Sequence, residues 1–190
     1  MWIHPSSAEA LHQTYRASQQ ASRRLAVQAG EVQALAKRVQ FALHRREARE
    51  AEELLMRVQE AYQALSDAYT PEQLQAEAAW RALQEEWLET QLFAAFVRGS
   101  APFALPSNMP EACIGALSDV LGEVVRLLVR DAAEGSFARL SDARELADEV
   151  LSTLLALDGT GQARQKVDQA RSHARRIEDI AYDAALHGRV

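Results

Sequence analysis

The chain has 190 residues and a net charge of −6, and its 48% hydrophobic content is enough for a single domain, residues 1–190, with a sizeable core. Only 8 glycines and 5 prolines interrupt a composition rich in Ala, Leu, Glu, Gln and Arg, which predicts an all-α protein. One cysteine excludes an internal disulfide, and no apolar run is long enough to cross a bilayer or to form a signal peptide, so we expect a cytoplasmic protein without membrane contact.

Two long helices are predicted between about Ser7 and Tyr69, because this span has no proline and one glycine. We expect a break between them near His44–Arg49. Residues 1–50 carry eight Arg or Lys against four acids, whereas residues 51–100 carry three against nine. The basic first quarter indicates a local phosphate-binding patch, although such side chains also solubilise exposed helices.

A helix start is indicated at Thr70-Pro71, with threonine as the N-cap and proline in the first turn. We expect this third helix to run without interruption to about Arg98 and to end at Gly99. Its second half is apolar on nearly all sides. This pattern predicts enclosure by other helices or by another subunit.

The one substantial loop is predicted at Ser100–Pro110, which holds three of the five prolines. The next helix is expected from about Glu111 to Glu134-Gly135. Asp142 and Glu145 resemble a capping box for a shorter helix that ends near Leu157. A last helix is expected over residues 162–187. The sum is a bundle of six to seven helices with short connections.

Four acids on two of these helices are the candidate catalytic and metal-binding residues. Glu86 and Glu89 are three residues apart, and Asp119 and Glu123 are four apart, so each pair lies on one helix face. The first pair shares its face with apolar residues, where an unpaired carboxylate costs several kcal/mol to bury. If the two helices approach each other, the four carboxylates converge, and a divalent metal ion is the usual way to hold such a cluster.

Spacing alone leaves other interpretations open, because 27 acids on helices create many such pairs, most of them solvated. A zinc site lacks cysteine and histidine ligands. A ferritin-like di-iron site needs two Glu-x-x-His motifs, and only Glu9–His12 has that spacing. Glu85-Glu86-x-x-Glu89 with Glu145–Asp148 resembles the all-helical nucleotide pyrophosphohydrolases, although the second motif comes one helix late. His44 either binds phosphate or simply lies beside its arginine neighbours.

Four segments, in order, resemble the translin family, and within it the branch of translin-associated factor X. Residues 37–45 (KRVQFALHR) are similar to the family pattern K-R-x-x-F-x-L-H-R. Residues 80–96 begin with W-R and end in aromatics, as in translin. Residues 115–126 resemble G-x-x-D-x-x-G-E-x-x-R, and residues 177–188 resemble V-E-x-x-x-Y-D-L-x-x-R-G. Here the closing Arg-Gly of that last pattern is His187-Gly188.

The resemblance implies an all-α subunit of a hollow shell, a homo-octamer, around single-stranded RNA, with single-stranded DNA as a second candidate ligand. In the factor-X branch, acids on two helices bind divalent metal, Mg²⁺ or Mn²⁺, and cleave RNA, and all four matching positions are acids in this sequence. The matching basic, nucleic-acid-binding positions are Lys37, Arg38, Arg45 and Arg126.

We therefore expect a metal-dependent endoribonuclease that acts inside an oligomeric shell. The first alternative is a translin-like shell that binds nucleic acid without cleaving it, and the second is a nucleotide pyrophosphohydrolase.

Overall fold

The computed structural model describes residues 3–100 and 103–186, and within these ranges all regular structure is helical. The predicted all-α bundle is confirmed. Its seven helices are α1 (Pro5–His44), α2 (Ala48–Asp67), α3 (Pro71–Ala76), α4 (Ala78–Arg98), α5 (Pro110–Ala133), α6 (Leu140–Leu155) and α7 (Gln162–Leu186). None of the helices in these ranges has an apolar stretch long enough to span a membrane.

The centre of the bundle is the α4–α5 pair. Helix α4 packs against α1 on one side and α5 on the other, and α5 packs in turn against α7. Helix α2 covers α1, and α6 covers α7. Leu92, Phe93 and Ala94 of α4 are buried, so helices of the same chain enclose much of the apolar second half of α4.

The predicted break after His44 is present, and a left-handed turn forms it. Arg46 has φ of 62° there, and its guanidinium lies 2.8 Å from Asp131 at the end of α5. Asp131 is buried and also accepts a hydrogen bond of 2.8 Å from Arg139. This ion-pair network fixes the α1–α2 turn against the C-terminal end of α5.

The predicted helix start at Thr70-Pro71 is confirmed, Gln73 completes a capping box there, and the helix that follows is shorter than expected. The backbone N–H of Gln73 donates to the Thr70 hydroxyl at 3.3 Å, and the Gln73 side chain accepts from the Thr70 N–H at 2.9 Å. The uninterrupted helix expected up to Arg98 is wrong, because Glu77 is extended, with φ of −101° and ψ of 122°. Leu74 and Trp80 are both buried, and on one straight helix they would face about 120° apart. The break lets both side chains reach the core.

The capping box expected at Asp142 is also wrong. Helix α6 already begins at Leu140, with Arg139 at the N-cap position and no side-chain cap. Leu140 and Ala143 are buried, so packing sets this start and places Asp142 in the first turn, where its charge is favourable to the helix dipole. Helices α5 and α7 begin within a residue of expectation, and His187-Gly188 lies outside the described residues.

Candidate active site

Helices α4 and α5 approach closely where the acids lie, because α5 has a glycine at the contact. The Glu85 carboxylate lies directly over Gly115, and a Cβ atom at this position would come within 2.2 Å of the Glu85 Cδ. The small residue thus lets a carboxylate of α4 lie against the backbone of α5. The four acids that the sequence singled out lie on the same two helices, between one residue and about two turns beyond this contact.

Glu89 is the most buried of these acids, with 9% of its surface exposed. Burial raises the pKa of Glu89 to about 8, and the charges of Glu86, Asp119 and Glu123 act in the same direction. All four candidate acids are therefore within electrostatic reach of one another. The charges of the two pairs therefore act on one another where α4 and α5 face each other, and we call these four residues the acid cluster.

Glu86 faces α1 at the edge of this cluster. Its carboxylate accepts a hydrogen bond of 3.2 Å from the Gln40 amide and lies 3.7 Å from the Lys37 ammonium. The Gln40 amide also donates to the hydroxyl of Thr90, at 3.2 Å. Burial raises the pKa of Glu86 even though Lys37 and Gln40 stabilise its charged form.

Glu123 faces the end of α1 and is hydrogen-bonded to the imidazole Nε2 of His44. The His44 ring is buried, with its centroid 4.9 Å from that of Phe93. On the solvent side, the Arg126 guanidinium lies 3.7 Å from Glu123 and 5.3 Å from the centre of the Phe41 ring. Glu123 therefore lies between a buried histidine and an exposed arginine.

Asp119 faces α7, which supplies partners for both of its oxygens. The Lys166 ammonium lies 2.7 Å from Oδ2, and the Gln169 amide donates to Oδ1 at 2.9 Å. The same ammonium lies 2.7 Å from Glu85. Burial raises the pKa of Glu85, and the charge of Asp119 adds to this effect although Lys166 opposes it.

The donor set suits a hard divalent cation in its chemistry, because it consists of carboxylates that repel one another in a part-buried place. The positions of the side chains do not form a finished site. Within residues 3–100 and 103–186, no group of three or more His, Cys, Asp or Glu side chains is arranged so that it could hold a metal ion. Asp119, Glu123 and Glu86 are instead turned towards Lys166, His44 and Gln40.

The four candidate nucleic-acid-binding residues fall into two groups. Lys37 and Arg126 lie beside the acid cluster, with 60% and 55% of their side chains exposed. Arg45 instead pairs with Glu47 at 2.6 Å, next to the α1–α2 turn. Arg38 is exposed on α1 and forms no ion pair within the part of the chain that the structure describes.

Other acidic motifs lie elsewhere. Glu145 lines a groove of about 510 Å³ beside the C-terminal half of α4, together with Leu92 and Phe96, and not the cluster around Glu89. Asp148 is exposed and lies on α6, the helix that also carries Glu145. Glu9 and His12 lie on the exposed first half of α1. The structure therefore does not join these pairs to the candidate site.

Sequence reasoning did not predict that side chains of α1 and α7 contact the acids. Lys37, Gln40 and His44 follow one another at spacings of three and four on α1, so this polar stripe was visible as a pattern. Lys166 and Gln169 had no such signal, because only the packing of α7 on α5 brings them to Asp119.

Comparison with known proteins gives matches in structure only. The sequence matches no family model and no curated protein. The AfC3PO crystal structure aligns with a TM-score of 0.82 at 18% identity, covering 95% of this chain and 98% of that one. The AfC3PO–duplex RNA complex gives 0.79 at 18% identity, covering 95% and 97%, and apo-NeC3PO gives 0.78 at 12%, covering 95% and 97%. At these identities the likeness shows a shared fold, that of AfC3PO and NeC3PO.

Proposed function

We propose that this chain is a translin-like RNA-binding subunit of the factor-X type, which hydrolyses single-stranded RNA with Mg²⁺ or Mn²⁺ inside an oligomeric shell. The observation that carries the proposal is the cluster of Glu86, Glu89, Asp119 and Glu123 beside exposed cations. The fold it shares with AfC3PO, for which there is a structure of a complex with duplex RNA, supports the nucleic-acid part. Single-stranded DNA is the second ligand to test.

The four carboxylates would hold the metal ion once they turn from their protein partners. Such an ion supplies a nucleophilic hydroxide and stabilises negative charge on a phosphoryl group. Burial holds a proton on Glu89 up to about pH 8, so a bound cation would have to displace this proton, and metal binding should strengthen as the pH rises. His44 keeps Glu123 oriented through its hydrogen bond, and the ring of Phe93 limits the positions of the imidazole.

Exposed cations next to the cluster would place the RNA backbone. Lys37 and Arg126 lie beside Glu86 and Glu123, so a phosphate bound to both cations would lie over the acids. These contacts read charge and not sequence, so we expect binding to weaken as the salt concentration rises. Arg38 and Arg45 would extend the basic surface along α1.

The first half of α1 supports assembly into a shell. Residues 5–20 are almost all exposed, so this part of the helix has little contact with its own chain. Leu11 and Tyr15, one turn apart, are 67% and 63% exposed. We expect another subunit to cover this apolar pair, because it would otherwise be exposed to solvent.

Replacing Glu89 with glutamine tests the catalytic part. Glutamine reproduces the neutral acid in shape but does not ionise to bind a cation. We expect RNA cleavage in Mg²⁺ or Mn²⁺ to fall on the order of 100-fold or more, because a bound cation provides several kcal/mol of transition-state stabilisation. The measurement is single-turnover cleavage of an end-labelled, unstructured oligoribonucleotide, with strand binding followed separately by fluorescence anisotropy.

The matched control is Glu60→Gln, the same chemical change at an exposed position of α2. It should cleave like the natural sequence. Equal cleavage by the Glu89→Gln and Glu60→Gln variants would remove the nuclease assignment. Release of pyrophosphate from free nucleoside triphosphates would favour a pyrophosphohydrolase instead.

The assembly is tested by light scattering coupled to size exclusion. We expect a mass several times that of the 21.1 kDa chain, with eight subunits as the specific expectation. Leu11→Ser combined with Tyr15→Ser should lower the mass without changing helix content, because these positions contribute little to the monomer core. A natural chain that elutes as a monomer would leave the enclosed-shell proposal without support.

One observation favours the second candidate, a shell that binds RNA without cleaving it. Lys166 and Lys37 each face one of the acids and His44 is hydrogen-bonded to a third, so the chain itself already supplies partners for most of the cluster. In such a protein the acids would only orient the cations. Strand binding with no cleavage in either metal, by protein that also binds no Mn²⁺, would identify this case.

A further inference from the structure

Lys166 has an unusual position, because its ammonium bridges acids of α4 and α5 and its side chain is less exposed than that of Lys37 or Arg126. It contacts Asp119 and Glu85, each at 2.7 Å, and only 27% of the side chain is exposed. Gln169 occupies the other oxygen of Asp119 at 2.9 Å. Both oxygens of this candidate metal ligand are therefore engaged by α7.

Three contacts from α4 and α5 fix this arrangement. The buried Ser118 hydroxyl donates to the Lys166 carbonyl at 2.9 Å, which holds this residue of α7 against α5. Gly115 leaves the space in which the Glu85 carboxylate lies. Glu85 then accepts a hydrogen bond from the Lys166 ammonium at 2.7 Å. An exposed ion pair lacks such supporting contacts, whereas the packing of α7 on α5 fixes the position of Lys166.

We propose that Lys166 is an internal counter-ion that couples metal binding to strand binding: its ammonium occupies the cation's place beside Asp119 in the free protein and moves to a backbone phosphate when a strand binds. This inference rests on the proposed function. Two positive groups cannot both lie at hydrogen-bonding distance from the Asp119 carboxylate without repelling each other. A phosphate close to the cluster offers the ammonium an alternative anion and leaves Asp119 available to the metal.

The coupling has a necessary thermodynamic consequence. If the strand increases the affinity for a divalent cation, the cation must increase the affinity for the strand by the same factor. Couplings of this kind commonly amount to 5–150-fold, and we expect about tenfold here. Without the Lys166 ammonium, the factor by which the strand tightens cation binding should approach one. Asp119 would then be available to the cation whether or not a strand is bound.

The test measures Mn²⁺ binding by electron paramagnetic resonance, with the whole chain alone and with a non-cleavable 2′-O-methyl oligoribonucleotide. In the natural sequence the strand should tighten Mn²⁺ binding about tenfold. Lys166→Met keeps the length of the side chain and removes its charge, so Mn²⁺ should bind about tenfold more tightly without the strand and gain little from it. Arg175→Met, on an exposed part of the same helix, should behave like the natural sequence.

A second variant keeps the proposal testable if Lys166→Met folds poorly, which circular dichroism would reveal. Gly115→Ala retains the lysine but displaces Glu85, so the ammonium loses one anchor and the coupling should fall to an intermediate value. Mn²⁺ binding that is the same in all variants and unaffected by the strand overturns the role of Lys166 and leaves the metal site intact. No Mn²⁺ binding by any variant, with or without the strand, overturns the metal site and this proposal together.

Discussion

The Glu89→Gln variant is expected to be more stable than the natural sequence at alkaline pH, by a few kcal/mol at pH 9. Burial and the charges of Glu86, Asp119 and Glu123 raise the pKa of Glu89 to about 8, against an ordinary value of 4.5. Between these two values the folded chain holds a proton that the unfolded chain releases. The neutral carboxyl group is therefore compatible with the fold, and its ionisation opposes it.

The sign of the pH dependence follows from this difference. The contribution of Glu89 to stability is fully present below about pH 4.5, and it is lost as the pH rises through about 8. Glutamine does not ionise, so the free energy of unfolding of the variant should fall less between pH 5 and pH 9. Urea unfolding, followed by circular dichroism at several pH values in this range, gives the free energy of unfolding against pH for the natural sequence and for the variant.

Two comparisons make this prediction specific to Glu89. Glu60→Gln changes an exposed acid and should leave the pH profile of the natural sequence unchanged. Added Mn²⁺ should stabilise the natural sequence most above pH 8, where Glu89 is ionised, and should have little effect on Glu89→Gln. Parallel profiles for the natural chain and Glu89→Gln would show that the side chain ionises normally and that the acids are not clustered.

The part of the fold that could be predicted from the sequence is the part that local signals determine. The N-cap Thr70 and the first-turn Pro71 are neighbours in the sequence, so this helix start was predicted from local residues alone. The break at Glu77 was not visible, because helix-favouring residues surround it and only the burial of Leu74 and Trp80 requires it. The start of α6 at Leu140 depends in the same way on the core.

The residues of the candidate site likewise fall into those that local sequence patterns indicate and those that only tertiary packing brings together. The pairs Glu86–Glu89 and Asp119–Glu123 follow from helical spacing within one segment, so the sequence identified them. Their partner Lys166 is 47 residues from Asp119 along the chain, and its contact exists only because α7 packs on α5. The acids could therefore be found from periodicity, whereas the cations that control their charge required the tertiary structure.

Phe93→Ala is expected to cause a large loss of stability, roughly 3–5 kcal/mol. Among the described residues Phe93 is the largest side chain that is completely buried, at 0% exposure, and it lies in the second half of α4. Truncation would leave a cavity between α4 and its neighbours that the packed helices can close only in part. The measurement is the urea unfolding midpoint and slope at pH 6, where Glu89 remains largely neutral.

The same truncation should also affect the site, because the Phe93 ring lies 4.9 Å from the His44 ring that orients Glu123.

Two further variants serve as controls for the stability measurement. Phe93→Leu fills most of the cavity without an aromatic ring, so it should recover most of the stability, to within about 1.5 kcal/mol of the natural sequence. Phe41→Ala removes the same group from a side chain that is 49% exposed and should cost much less than Phe93→Ala. Equal costs for the two alanine variants would mean that α4 is not the centre of the core, and the placement of its acids against α5 would then lose its structural basis.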